Sequence, residues 1–80
     1  MFEIKNELGL HARPASMIVQ EAKKYKSTIN FIKDGVKFNA KSIMSIMSMD
    51  AKFASKFEIE CIGEDELEAK KGIINLLNSL

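Results

Sequence analysis

A single cysteine, Cys61, a single proline, Pro14, and only four glycines are spread over the chain. One thiol cannot close an internal disulfide, and with one histidine beside it the chain lacks the several Cys and His ligands of a structural zinc site. So few breakers, together with 46% apolar residues, exclude a disordered or low-complexity chain. An excess of one charge sign is missing too. Twelve basic against eleven acidic side chains leave a formal net charge of +1, which supplies no overall field for a polyanion such as nucleic acid. Apolar runs are short, and none approaches the roughly 18 residues of a membrane span. Met1-Phe2-Glu3-Ile4-Lys5 brings charge in at once with no apolar stretch behind it, so the cytosol is the expected compartment. With 80 residues there is surface to bury for one core only, and one domain over residues 1–80 is expected.

What is present reads as alternating strands and helices. Phe2 and Ile4 alternate with Glu3 and Lys5, a half-buried strand closed by Asn6-Glu7-Leu8-Gly9 as its turn. Ala15, Ile18, Val19, Ala22 and Tyr25 then form one helical stripe, which predicts a helix over about residues 12–25. Thr28–Ile32 and Val36–Ala40 are alternating runs rich in β-branched and aromatic residues. Lys33-Asp34-Gly35 between them marks a hairpin. Ser42 is the expected N-cap of a short helix whose Ile43, Met44, Ile46, Met47 and Met49 are too many for one buried stripe. Ile46 and Met49 are the expected core residues there. Phe57, Ile59 and Cys61 alternate with Glu58 and Glu60 as a further strand. Asp65 and Glu68 have capping-box spacing ahead of a last helix with Ala69, Ile73, Leu76, Leu77 and Leu80 on one side. Strands that alternate rather than run continuously apolar predict an α+β open-faced sandwich. Its four-stranded antiparallel sheet would carry three helices on one face, in the order βαββαβα.

The chemistry concentrates in four residues. The only His, the only Arg and the only Pro stand together in His11-Ala12-Arg13-Pro14. Proline is tolerated in a helix only within the first turn, so Pro14 pins the helix start to just after His11. His11 then sits at or beside the N-cap, against the free backbone N–H groups of Ala12 and Arg13 and the positive end of the helix dipole. That arrangement holds a phosphate or another oxyanion. Arg13 adds a planar cationic fork suited to phosphate oxygens, and the same positive surroundings favour the neutral, nucleophilic imidazole. Phosphoryl transfer depends mainly on positioning and electrostatics, so this corner is chemically sufficient if a partner brings the phosphate; no cofactor or metal is called for. A lone histidine near a turn is ordinarily a surface or capping residue, and here its neighbours reverse that expectation. Arginine in a first turn is also unfavourable for the dipole and asks for a compensating purpose. Ser42 suits a cap and also tolerates phosphorylation, since added negative charge at a helix N-terminus does not melt the helix. Ile43, Met44 and Met47 form an adaptable apolar patch for docking, and Ser16 and Gln20 on the first helix are further docking candidates.

Gly9-Leu10-His11-Ala12-Arg13-Pro14-Ala15 resembles the active-site signature of the histidine-containing phosphocarrier (HPr) family of the bacterial phosphoenolpyruvate:sugar phosphotransferase system. Lys41-Ser42-Ile43-Met44 resembles that family's second signature, at the family's spacing. The resemblance covers essentially the whole chain. It implies a monomeric protein substrate of two phosphotransferases rather than an independent enzyme. His11 would accept a phosphoryl group on Nδ1 from phosphorylated enzyme I and pass it to the IIA unit of a sugar permease, with Arg13 assisting. It further implies that a kinase/phosphorylase modifies Ser42 and so promotes binding to a catabolite-control repressor. A paralogue serving nitrogen or another regulatory branch keeps the same fold. A nucleic-acid-binding module is disfavoured by Glu3, Glu58 and Glu60 on the exposed strand positions. Three positions depart from the family pattern: Leu8 where a hydroxyl or amide side chain is common, Ser45 where glycine or lysine is common, and residues 50–56 without the usual glycine.

Overall fold

The computed structural model describes residues 1–5, 9–51 and 55–80. The elements are β1 (Phe2–Glu3), α1 (Ala12–Ala22), β2 (Thr28–Lys33), β3 (Val36–Asn39), α2 (Ile43–Ser48), β4 (Lys56–Ile62) and α3 (Glu66–Ser79). The four strands form one antiparallel sheet in the order β1-β4-β2-β3. Its inner face carries Ile29, Phe31 and Phe57. The rings of Phe31 and Phe57 lie 4.7 Å apart, and Phe2 follows at 5.7 Å from Phe57. The helices supply the other half of the core: Ala15, Ile18, Val19 and Ala22 from α1, Ile46 from α2, and Ala69, Ile73 and Leu77 from α3. The outer face carries Asn30, Lys37, Glu58 and Glu60, with Ile32 and Ile62 among them. There Glu60 accepts from Asn30 Nδ2 at 3.1 Å and pairs with Lys37 at 3.3 Å, and these two partners hold its carboxyl below the usual carboxylate range. No helix among the described residues is long and apolar enough to cross a membrane.

Local chemistry explains most boundaries. Asp34 and Gly35 both take positive φ, 53° and 79°, the mirror-image turn whose twist matches a hairpin. Strand β1 is shorter than its alternation predicts, yet the buried Ile4 still donates its N–H to Ser55 O at 2.8 Å, so pairing outlasts the regular strand. Residues 6–8 of the expected turn lie outside the described residues. Helix α1 ends at Ala22 rather than near Tyr25. Lys24 and Tyr25 donate to Glu21 O and Ala22 O, the tightened i→i−3 pattern of a fraying last turn. Tyr25 nevertheless packs on the core: a Cβ at Gly72 of α3 would overlap the Tyr25 hydroxyl, which itself donates to Glu21 Oε2 at 2.8 Å.

The expected capping box of Asp65 and Glu68 does not form. Asp65 is the N-cap residue of α3, but its carboxylate leaves the helix and accepts from Lys26 N and Ser27 N, each at 2.9 Å, and from Ser27 Oγ. Ser27 is buried, and donors turned inward outcompete a cap that water can replace. Glu66 takes the backward capping role instead, accepting from Gly63 N at 3.1 Å. The Ser27 hydroxyl and the Lys26 amide hold the Asp65 carboxyl down at about 2, against an ordinary 3.8. A depressed carboxyl stabilises the fold above its unfolded value and loses that contribution as pH falls toward its folded value. Acid should therefore weaken the protein between about pH 4 and pH 2, and Asp65→Asn should flatten that part of the curve. Thermal midpoints measured from pH 6 down to 2 test this; parallel curves for the two proteins would rule it out.

Candidate functional site

The corner before α1 is built from both sides. Gly9 takes φ 70°, and Leu10, which is buried, donates its N–H to Ala51 O at 2.8 Å. His11 follows as the N-cap residue in extended geometry, φ −90° and ψ −164°, and its carbonyl accepts from Ala15 N at 2.9 Å. Helix α1 thus starts directly after His11, with Pro14 buried inside the first turn, as the single proline required. The imidazole is exposed and is not consumed as a cap. Among the described residues nothing accepts from the backbone amides of Ala12 and Arg13, and the first turn contains no acidic residue. Arg13 is exposed and has no ion pair among the described residues. The start of α1 thus carries an exposed ring, an exposed guanidinium and, among the described residues, two amides without acceptors, at a positive helix end that can hold a tetrahedral oxyanion.

Ser42 stands at a second corner, the start of α2. Its Oγ accepts from Ser45 N at 3.2 Å, the cap expected of it, and its own N–H donates to Asn39 O at 3.1 Å. Asn39 N in turn donates to Ser45 Oγ at 2.8 Å, closing a ring of three residues. Ser45 thereby ties the first turn of α2 to the end of edge strand β3 and occupies an outward backbone donor that the edge would otherwise expose.

Helices α1 and α2 also carry exposed apolar side chains. Ile46 and Met49 are buried as expected, while Ile43, Met44 and Met47 are 43%, 79% and 44% exposed. On α1, Gln20 is exposed and Ser16 half-buried, and Met17 beside them is 40% exposed. Sequence reading passed over Met17. Its signal was there: it lies off the Ala15-Ile18-Val19-Ala22 stripe and shares a turn with Gln20, so a large apolar side chain was placed on the wet side. Helices α1 and α2 pack on each other, which sets these side chains on neighbouring elements.

A family model described as the PTS HPr component phosphorylation site matches residues 1–79. The chain belongs to the HPr family of phosphocarrier proteins. Phosphocarrier protein HPr of Treponema pallidum (strain Nichols) is 41% identical over 76 residues, covering 95% of this chain and 86% of that protein. HPr-like protein Crh of Halalkalibacterium halodurans is 46% identical over 72 residues, covering 90% of this chain and 86% of that protein. The crystal structure of HPr-C-His from Thermoanaerobacter tengcongensis superposes with a TM-score of 0.93 at 47% identity, over 98% of this chain and 88% of that one. The four-stranded open sheet with three helices is thus the HPr fold. Of the departures from the HPr pattern, Leu8 and residues 52–54 lie outside the described residues. Asp50 takes φ 51°, the left-handed conformation that glycine adopts most readily, so the glycine-free segment still makes a left-handed turn after α2.

Proposed function

We propose that His11 is the phosphoryl acceptor of a sugar phosphotransferase relay. Its Nδ1 attacks the phosphorus carried by phosphorylated enzyme I; the new P–N bond forms as the bond to the donor breaks, and in a second transfer that P–N bond breaks as the phosphorus bonds a nucleophile on a IIA unit of a sugar permease. The observation that carries this reading is the exposed imidazole at the start of α1 beside two amides that have no acceptor among the described residues. These amides take the phosphoryl oxygens, and Arg13 neutralises charge on the moving group. Ser16, Gln20, Ile43, Met44 and Met47, with Met17, form the surface on which enzyme I and the IIA unit dock in turn. The test is incubation with enzyme I and labelled phosphoenolpyruvate. An acid-labile, base-stable label is expected, absent in His11→Ala; label retained in that variant would falsify the assignment.

The similarity to Crh favours a second, compatible reading in which Ser42 is a regulatory site. Phosphorylation by a kinase/phosphorylase would add about −1.5 to −2 charges next to the docking patch, slowing transfer through His11 and favouring a catabolite-control repressor as partner. The kinase with a Ser42→Ala control tests this: wild-type protein left unmodified reduces Ser42 to a helix cap. The IIA unit that accepts label fastest separates a sugar carrier from a nitrogen-branch paralogue.

A further inference from the structure

The inward-facing row of β2 runs Ile29, Phe31 and then Lys33. The first two are fully buried, and the third carries a charge on the side of the sheet that the helices cover. Its ammonium does not turn away to water. Lys33 Nζ donates to Met49 O at 3.2 Å in a partly buried contact. Met49 is the C-cap residue of α2, a helix with no basic residue in its own last turn. The cation that complements this negative helix end therefore comes from the sheet. Directly after Met49 the chain turns through left-handed Asp50 to buried Ala51, whose carbonyl receives Leu10 N–H at 2.8 Å. Leu10 is the residue before His11.

We propose that Lys33 is a positioning residue for His11. It fixes the carbonyl end of α2, which fixes Ala51, which holds Leu10 and so sets where the imidazole and the Ala12 and Arg13 amides stand. Among the described residues the Leu10 backbone makes one hydrogen bond to the rest of the fold, to Ala51 O, beside the packing of its buried side chain, so a shift at Met49 reaches the site through that bond. Small misplacements of a reacting group are costly to rate while leaving the core intact. The kinetic part of this proposal rests on His11 as phosphoryl acceptor; the geometric part does not.

The test compares full-length wild type with Lys33→Met, which keeps stem length and removes the donor, and Lys33→Arg, which restores one. Lys33→Met should move the backbone amide resonances of Leu10, His11 and Ala12 and slow labelling by enzyme I about tenfold, with Lys33→Arg recovering both. Asp65→Asn, which loosens a different corner of the fold, should leave those three resonances in place. Unmoved Leu10 and His11 resonances in Lys33→Met, no recovery with arginine, or equal movement in Asp65→Asn would each overturn the proposal. If Lys33→Met does not fold, Lys33→Leu, which also lacks a donor, is read by the same criteria. If wild type takes no label, the acceptor reading fails while the resonances still decide the role of Lys33.

Discussion

Arg13→Ala is expected to slow phosphoryl transfer to His11 by about a hundredfold, in the range lost when one preorganised group at a developing charge is removed. The same substitution should leave the fold intact. Arg13 is exposed and pairs with no carboxylate among the described residues, so truncating it removes no structural contact of note. A cation in the first turn also opposes the helix dipole, so α1 should gain a few tenths of a kcal/mol, roughly 0.3, on its removal. Function and stability are thus expected to move in opposite directions at one residue. Initial rates of label uptake and thermal melts of the two proteins test this; equal rates would remove Arg13 from the transfer step. Arg13→Lys should recover only part of the rate, because an ammonium supplies a point charge where the guanidinium supplies a fork.

The second large effect is on the fold. Phe31 is fully buried at the centre of the inner sheet face, its ring tilted against that of Phe57 at 4.7 Å, which in turn meets Phe2. Truncation to alanine removes most of the side chain and leaves a cavity between a sheet and helices already in contact, a change that costs about 3–5 kcal/mol. A domain of this size has only roughly 4–12 kcal/mol to lose. Phe31→Ala should therefore unfold at much lower urea concentration, with partial unfolding at 37 °C. Met44→Ala, on an exposed helix face, should stay within about 0.5 kcal/mol of wild type. Urea titrations followed by circular dichroism measure both, and a Phe31→Ala midpoint close to wild type would contradict this account of the core.

How far each feature was legible follows from how local its cause is. The hairpin turn was readable because Asp-Gly favours positive φ irrespective of what surrounds it. The start of α1 was readable because proline forbids the alternatives. The split of α2 into buried Ile46 and Met49 and exposed Ile43, Met44 and Met47 followed from counting apolar residues against a narrow stripe. Two readings failed where a distant group intervened. Asp65 has capping-box spacing, but Ser27, far away in the chain, captures its carboxylate. Tyr25 continues the spacing of α1, but its ring is held by the notch at Gly72 after the helix has ended. The role of Ser45 was not legible either, because the amide that meets its hydroxyl belongs to Asn39 at the end of β3.

The order of elements, the position of the helix start and the residue types gathered at it are properties of neighbouring residues along the chain, governed by sterics and backbone hydrogen bonding within a few positions. Those the amino-acid order determined by itself. Which carboxylate serves as a cap, which carbonyl receives Lys33, and what holds Leu10 beside His11 depend on groups brought together from separate elements. Burial raises the cost of an unpaired donor at those places, so the pairing is chosen by the packed fold and not by local preference.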